Sequence, residues 1–263
     1  MKDLEYYYWV GFFAADGTFR KQGKRLLLKL TVAKQDESHL ELMKKYFGAN
    51  NCWGVSYYKK YSQLIYHYND GVECIRQTFD LKERKTYNPP DLKIFDQMSE
   101  EQFLSFFIGY TDGDGCIQFT GGKNSGRKDV QIGFHVHRTW NDVMNKMRIR
   151  LEEITGVKIS PSKIGKDGYA RFNIGNTIVI RYLKNIVLQH RHPYLTRTWN
   201  KIDENRLSKY EWQRFYTPKV IELRTRGYTF EKIGTELGIK TTSAFNYFNG
   251  KNGGSHKGVK NEL

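Results

Sequence analysis

The sequence predicts an α+β fold built from two related halves, followed by a small all-α domain. Two apolar runs of helical length, residues 6–19 and 103–119, each carry a glycine, end in Asp-Gly and lead into a strand-like stretch. Each run is followed by an alternating strand, an amphipathic helix, two further strands and another helix. Chance could explain any one of these matches, but their common order indicates a duplicated unit of helix, two strands, helix, two strands and helix.

The elements after each run can be placed from their patterns. The strands 28–32 and 132–136 alternate as half-buried strands do, and the helices that follow have apolar residues along one side. Those residues are Leu40, Met43 and Phe47 in the first half and Met144, Met147 and Leu151 in the second. Two further strands and a helix are predicted at 55–59, 64–68 and 72–79, and again at 157–164, 169–174 and 177–187.

A proline pair separates the two halves. Asn88-Pro89-Pro90-Asp91 blocks helix continuation and is the predicted junction. The sequence therefore predicts a first repeat at 1–92, a second repeat at 93–205 and a separate tail at 206–263.

Small residues recur at helical spacing in both apolar runs. Gly11 and Ala15 share one face of the first helix, and Gly109 and Gly113 share one face of the second. A helical glycine costs about 1 kcal/mol relative to alanine, so the same cost at matching places indicates close packing rather than accident. We expect these four residues to form an interface between the two helices.

Helix pairing about a pseudo-twofold axis would bring Asp16 and Asp114 side by side. Two carboxylates that close repel each other, and one must hold a proton unless cations lie between them. Two carboxylates together with phosphate oxygens suit Mg²⁺. The pattern predicts a divalent metal site that takes Mg²⁺, with Mn²⁺ as a substitute.

The charge balance indicates an anionic polymer as partner. The chain has 43 Lys and Arg against 28 Asp and Glu, a formal net charge of +15, and phosphates reward such an excess through counterion release. The excess of basic residues is spread along the chain: residues 206–263 hold 11 basic and 5 acidic side chains, a net of +6, which leaves +9 of the +15 for residues 1–205. A soluble basic protein with no nucleic acid partner is the plainer alternative.

The cysteines and the hydropathy of the chain indicate the cellular compartment in which the protein is expected. The 3 cysteines are far apart and form no CxxC pair, which argues against zinc fingers and disulfide frameworks and favours a reducing compartment. The N-terminus does not resemble a secretory signal, and no apolar stretch reaches bilayer length. We expect an intracellular protein with no membrane partner, cytoplasmic and bacterial or phage-encoded rather than organellar.

The segments GFFAADG and IGYTDGDG resemble the LAGLIDADG motif of homing endonucleases. The resemblance covers roughly residues 1–205, and it implies that the motif helices form the interface between halves of a DNA-binding saddle. The last acid of each motif, Asp16 and Asp114, would then bind metal, joined by main-chain carbonyls near Ala15 and Gly113. The sequence departs at the motif's earlier acid, which is Asp112 in the second copy but Ala14 in the first.

The resemblance also implies basic or polar groups around the metals that hold water and stabilise developing charge. Lys85 and Arg197 stand at the positions of the family's recurrent lysine. Lys34 and Arg138 stand where the second strand enters the helix, at a position that often organises water. For these four residues, ordinary surface charge is the alternative.

The strands and hairpins would provide the DNA contacts, with strand residues reading the major groove. Solvated hairpin tips are the alternative for any single lysine. The candidates are Arg20, Lys24, Arg25, Lys29 and Thr31 in the first half, and Gln118, Lys123, Arg127, Lys128, Gln131 and His135 in the second.

The tail resembles a helix-turn-helix. A helix is expected to begin at Pro218 and run to about residue 226, with a second from Thr229, a turn at Gly238 and a third from Thr242. A helical cap on the nuclease core is the alternative. Ile233, Leu237, Ile239 and Phe245 are the expected buried residues, and Thr241, Thr242, Ser243, Asn246 and Tyr247 are the ones expected to face a groove or the DNA backbone.

Together these features predict a monomeric, site-specific double-strand DNA endonuclease that acts by metal-assisted hydrolysis. Resemblance implies a staggered cut with short 3′ overhangs. The alternatives are a maturase that binds its own group I intron RNA and a non-cleaving transcription factor of the same fold. We do not expect an intein, because residue 1 is not a nucleophile and no terminal His-Asn is present. We also do not expect another kind of metal nuclease, because the pairs His135/His137 and His190/His192 have no further metal ligands at fitting spacing.

Overall fold

The computed structural model describes residues 3–48, 53–67, 69–120, 129–190, 193–202 and 209–250. The chain divides into two compact units, Met1–Glu204 and Asn205–Leu263. No helix in the described ranges is both long enough and apolar enough to span a bilayer.

The first unit contains two repeats with the same order of elements. The first repeat consists of α1 (Leu4–Asp16), β1 (Thr18–Gln22), β2 (Arg25–Ala33), a 3₁₀ turn (Lys34–Asp36), α2 (Glu37–Phe47), β3 (Trp53–Tyr57), β4 (Tyr61–Tyr66) and α3 (Asn69–Thr78). A short helix, α4 (Ile94–Gln97), leads to the second repeat. That repeat consists of α5 (Glu100–Asp114), β5 (Gly115–Thr120), β6 (Asp129–His137), a 3₁₀ turn (Arg138–Trp140), α6 (Asn141–Thr155), β7 (Lys163–Ile164), β8 (Tyr169–Ile174), α7 (Thr177–Gln189) and α8 (Thr196–Trp199).

Each repeat forms one antiparallel sheet of four strands, in the order β1-β2-β4-β3 and β5-β6-β8-β7. One face of each sheet is buried, as the alternation predicts: Leu28, Leu30 and Val32 point into the core while Thr31 is exposed. The predicted fold class is thereby confirmed. The strands β3 and β4 begin two to three residues earlier than predicted.

The strand predicted over residues 157–164 is wrong for most of its length, because only Lys163 and Ile164 pair with β8. Pro161 has no N–H to donate to a ladder. The neighbouring amides bind side chains of α6 instead: Ile159 N donates to Glu152 (2.6 Å) and Ser162 N to Asn145 (3.1 Å). Backbone groups satisfied in this way have no need of a strand partner.

Helices α1 and α5 pack backbone to backbone at the centre of this unit. A β-carbon on Gly11 would overlap the carbonyl of Phe106, and one on Gly109 would overlap the carbonyl of Tyr8. Helix axes approach this closely only where glycine leaves room. The glycines therefore set the distance between the two repeats.

The second unit consists of α9 (Lys209–Thr225), α10 (Phe230–Leu237) and α11 (Thr241–Phe248). Thr229 caps α10 by accepting from Lys232 N, and Gly238 ends it at φ 63°. The predicted start of a helix at Pro218 is wrong, because Pro218 lies inside α9. Burial of Val220 against α10 and α11 offsets the backbone bond that proline removes.

The predicted faces of α11 are wrong at two positions. Phe245 was expected inside but is 44% exposed, and Tyr247 was expected outside but is 9% exposed. Tyr247 stacks on Tyr216 of α9, with ring centroids 6.0 Å apart. A ring that packs against α9 belongs to the core of this unit, so its neighbour at Phe245 turns outward.

Candidate functional site

The two motif helices end together, each at an aspartate followed by a glycine. A β-carbon on Gly17 would lie 2.5 Å from Phe13 O, so only glycine allows the chain to leave α1 directly into β1. Gly113 faces Ala15 and Asp16 of the other helix, with no room for a side chain between them. The helix ends thus bring Asp16 and Asp114 to one place, Asp16 half-buried and Asp114 exposed.

The carboxylate of Asp114 disfavours the charge of Asp16. Burial and the neighbouring Asp114 raise the pKa of Asp16 to about 7. Protein atoms packed around the carboxyl of Asp114 desolvate its charge and raise its pKa, although Lys85 and a hydrogen bond from Tyr110 oppose that rise. A cation between the two carboxylates would relieve this repulsion.

The donors at this position fit a hard divalent cation. Asp16 and Asp114 supply carboxylate oxygens, and the carbonyls at the end of α1 lie beside them; oxygen ligands are those that Mg²⁺ and Ca²⁺ take. Across the described residues, no group of three or more His, Cys, Asp and Glu side chains gathers around one point. The two aspartates would therefore hold a metal only with oxygens from the backbone, water or a bound phosphate.

Lys85 reaches this pair from the end of the first repeat. Its Nζ donates to Ala14 O (2.5 Å) and to Ala15 O, the carbonyl expected beside the metal. Burial lowers the pKa of the Lys85 ammonium, whereas the charges of Asp114 and Asp16 raise it. The adjoining cleft, of about 190 Å³, is lined by Ala14, Ala15, Lys85, Thr86, Tyr110, Asp114, His135, Val136, His137 and Trp140.

Arg197, the counterpart of Lys85, binds a carboxylate that the sequence analysis missed. Its guanidinium donates to both oxygens of Asp36, at 2.6 and 2.5 Å. Asp36 lies at the end of the first 3₁₀ turn and is 6% exposed. The equivalent turn of the second repeat has Trp140 at this position. An alignment of the repeats therefore shows that Asp36 and Trp140 differ, but it does not show that Asp36 binds Arg197.

Lys34 and Arg138 are the first residues of the two 3₁₀ turns. Lys34 pairs with Glu37 and lies 5.2 Å from the ring of Tyr57. Arg138 is exposed, and its backbone N–H donates to Gly168 O (3.1 Å). Neither residue lines the cleft beside Asp114.

Asp112, the earlier acid of the second motif, is part of a buried network. It accepts hydrogen bonds from Tyr8 Oη (2.8 Å), Leu195 N (2.9 Å) and Trp199 Nε1 (2.8 Å). Tyr8 also contacts His39 Nε2 at 2.6 Å, and burial lowers the pKa of His39 to about 4. This acid ties α5 to α1 and to the C-terminal segment of the second repeat, so its place is structural.

The predicted DNA-contacting residues of the strands lie on the open faces of the two sheets. Thr31 is opposite Gln63 of β4, and His135 is opposite Arg171 of β8. Strands β4 and β8 therefore add polar side chains to these faces that were not among the predicted DNA contacts: Gln63, Arg171 and Asn173. Arg20, Lys24, Gln118 and His135 are exposed, while Lys29 and Gln131 are half-buried.

Several candidates cannot be placed in the same way. Lys123, Arg127 and Lys128 lie outside the described residues, and only the backbone of Arg25 is described. In the second unit, Thr242 is exposed, while Ser243 and Asn246 are half-buried on α11.

The paired glycine-bearing helices, the twin sheets and the two converging acids define the two-repeat LAGLIDADG endonuclease fold. Two solved structures share it at a TM-score of 0.50. The LAGLIDADG homing endonuclease I-GzeII in complex with its DNA target is 11% identical, over 95% of this chain and 99% of that one. A mutant of I-SmaMI is 12% identical, over 96% and 98%. No protein-family model matches the sequence, and no curated protein resembles it at a significant level.

Proposed function

We propose that the protein is a site-specific endonuclease that cuts both strands of a long DNA target. The observation that carries the proposal is the convergence of Asp16 and Asp114 at the ends of α1 and α5, with Lys85 against the adjacent carbonyls. The neighbouring Asp114 raises the pKa of Asp16, and a repulsion of this kind favours metal binding over stability. The net charge of +15 supports a polyanionic partner.

A bound Mg²⁺, or Mn²⁺ in its place, would lower the pKa of water and stabilise the leaving oxygen of the scissile phosphate. Asp16 and Asp114 would hold the metal. Lys85 and Arg197 would place positive charge where the pentacoordinate phosphate develops negative charge. The open faces of the two sheets would hold the duplex, with Arg20 and Gln118 among the side chains that contact it.

Both acids belong to one chain, so the proposal includes action as a monomer on a non-palindromic site. The second unit would add contacts at one end of the target. Its spacing of Ile233, Gly234, Gly238 and Ala244 is typical of a helix-turn-helix, and Gly234 has room only for hydrogen where the backbone of Ile239 passes.

The test begins with selection of cleaved sites from a random DNA library with Mg²⁺. On a selected target, Asp16→Asn and Asp114→Asn should each abolish double-strand cleavage. Binding in Ca²⁺ should stay near that of the unchanged protein, because charge-neutral amides leave the sheet faces intact.

Asp96→Asn is the matched control, since it removes an exposed carboxylate that pairs only with Lys146 in the described contacts; it should cut at the normal rate. Normal cutting by Asp16→Asn would contradict the assignment of the site. Tight binding by the unchanged protein with no cutting in any divalent metal would indicate a non-cleaving DNA-binding protein instead.

A further inference from the structure

The two repeats place unlike side chains around their acids. In the second repeat, Tyr110 donates a hydrogen bond to Asp114. The equivalent residue in the first repeat is Phe12, which has no hydroxyl and is fully buried among aromatic rings. Phe12 therefore cannot give Asp16 the hydrogen bond that Tyr110 gives Asp114.

The basic residues are also held differently. We call Asp114, Lys85 and Trp140 the Asp114 half-site. There the indole Nε1 of Trp140 donates to Lys85 O at 2.8 Å, and the Lys85 ammonium lies 6.0 Å from the centre of the same ring. The neighbouring Thr139 hydroxyl donates to Thr86 O, so the backbone around Lys85 is held by uncharged contacts.

We call Asp16, Arg197 and Asp36 the Asp16 half-site. Here the basic residue is held by an ion pair. The buried carboxylate of Asp36 accepts two hydrogen bonds from the guanidinium of Arg197, and the Arg197 side chain remains 47% exposed. Lys85 lines the cleft beside Asp114, and Arg197 is its counterpart in the second repeat, so the correspondence of the repeats assigns Arg197 to Asp16.

A bidentate pair fixes the plane of the guanidinium as well as its position. A freely rotating arginine loses side-chain entropy when it binds a phosphate. An arginine that is already held in one rotamer by a carboxylate does not have to lose that entropy on binding. Two of its N–H groups bind Asp36, and the exposed part of the side chain leaves the remainder able to meet a ligand.

We propose that Asp36 is the positioning residue for Arg197 and that Trp140 is the positioning residue for Lys85, so that two chemically unlike half-sites cut the two DNA strands. This inference rests on the proposed nuclease function. It predicts that the rates of cutting the two strands can be changed separately by substitutions that leave both motif acids in place.

The experiment uses the full chain and a selected target labelled with a different dye on each strand, under single-turnover conditions with Mg²⁺. Asp36→Asn keeps the shape of the side chain and removes its charge. It should slow one strand by about tenfold more than the other, because a misplaced group loses about that much or more. Trp140→Phe removes the indole N–H and keeps a ring; it should slow the opposite strand.

A double substitution tests whether Asp36 acts through Arg197. Arg197→Gln should slow the same strand as Asp36→Asn, and the two together should be no slower than Arg197→Gln alone. Equal slowing of both strands by Asp36→Asn, with a lower melting temperature, would show a merely structural role and overturn the inference. Additive effects of the pair would overturn it as well. If the unchanged protein cuts neither strand, the proposed function itself fails.

Discussion

Two aspartates of α5, Asp112 and Asp114, lie two positions apart in opposite environments. Asp112 is buried and accepts three hydrogen bonds, while Asp114 is exposed at the helix end beside Asp16. Burial raises the pKa of Asp112 to about 7, although its three hydrogen bonds oppose that rise. Only the surroundings distinguish an acid that stabilises the fold from one that is available to a ligand.

We predict that Asp112→Ala lowers the free energy of unfolding by about 3–5 kcal/mol, since it leaves three buried donors without an acceptor. Denaturant unfolding measures the change. Asp96→Asn, at an exposed ion pair, should change the free energy by less than about 1 kcal/mol. A small effect of Asp112→Ala would mean that water takes the place of the carboxylate.

Substitution of Asp16 should raise the stability of the protein, in contrast to substitution of Asp112, and the gain should depend on pH. Burial and the neighbouring Asp114 raise its pKa from 3.8 to about 7 in the folded chain. Between these two values the unfolded chain loses the proton while the folded chain keeps it, so stability falls as pH rises through this window. Asp16→Asn should therefore stabilise the metal-free protein at pH 8 and have little effect near pH 4.

Melting curves in EDTA at both pH values measure this difference, which corresponds to roughly 2–4 °C for each kcal/mol in a domain of this size. Asp96→Asn again serves as the control and should show no such pH dependence. An equal shift of the melting temperature at pH 4 and pH 8 would contradict the raised pKa.

At the scale of elements, the junction of α1 and α5 determines where the acids meet. The glycines on this junction do not serve turns or positive φ angles. They remove side chains where two backbones touch, and the helix ends follow from that contact.

Gly109→Ala should therefore destabilise the protein by about 3 kcal/mol or more, although alanine favours a helix, because a β-carbon would overlap the carbonyl of Tyr8. Gly175→Ala is the matched control, since nothing lies within 4 Å of the position its β-carbon would take. Thermal and denaturant unfolding compare the two. If Gly109→Ala is tolerated as well as Gly175→Ala, the helices can separate without loss, and the junction does not set the site.

In the proposed function, the first unit cleaves DNA and the second unit adds DNA contacts. The first unit contains both acids and both sheets. The second unit has its own small core, around Val220, Ile233, Ala244 and Tyr247. Its third helix presents Thr242 and, one turn further on, Phe245 to solvent.

We predict that alanine at Thr242, Ser243 and Asn246 relaxes sequence preference at one end of the footprint, with a loss of about 1–3 kcal/mol for each base contact removed. Cleavage chemistry should persist at high protein concentration, since the triple substitution leaves the first unit unchanged. Thr225→Ala is the control: this threonine is exposed on α9 and its hydroxyl donates to Ile221 O (3.0 Å). An unchanged footprint with a lower melting temperature would indicate a helical cap.

The duplication, the order of elements and the two acids that meet can all be predicted from the amino-acid sequence. These follow from short-range patterns: apolar periodicity, glycine spacing and a repeated Asp-Gly, each of which acts through neighbours along the chain. The same patterns failed at residues 157–162 and at Phe245, where side chains from other elements decided the outcome.

The contacts of each basic residue depend on how the folded chain packs. Lys85 and Arg197 occupy equivalent positions, yet one meets main-chain carbonyls and the other meets Asp36, a residue far away in the sequence. Asp112 likewise finds its donors on Tyr8, Leu195 and Trp199. Long-range pairing of this kind leaves no periodic trace, because its partners are brought together by the packing of whole helices and not by spacing along the chain.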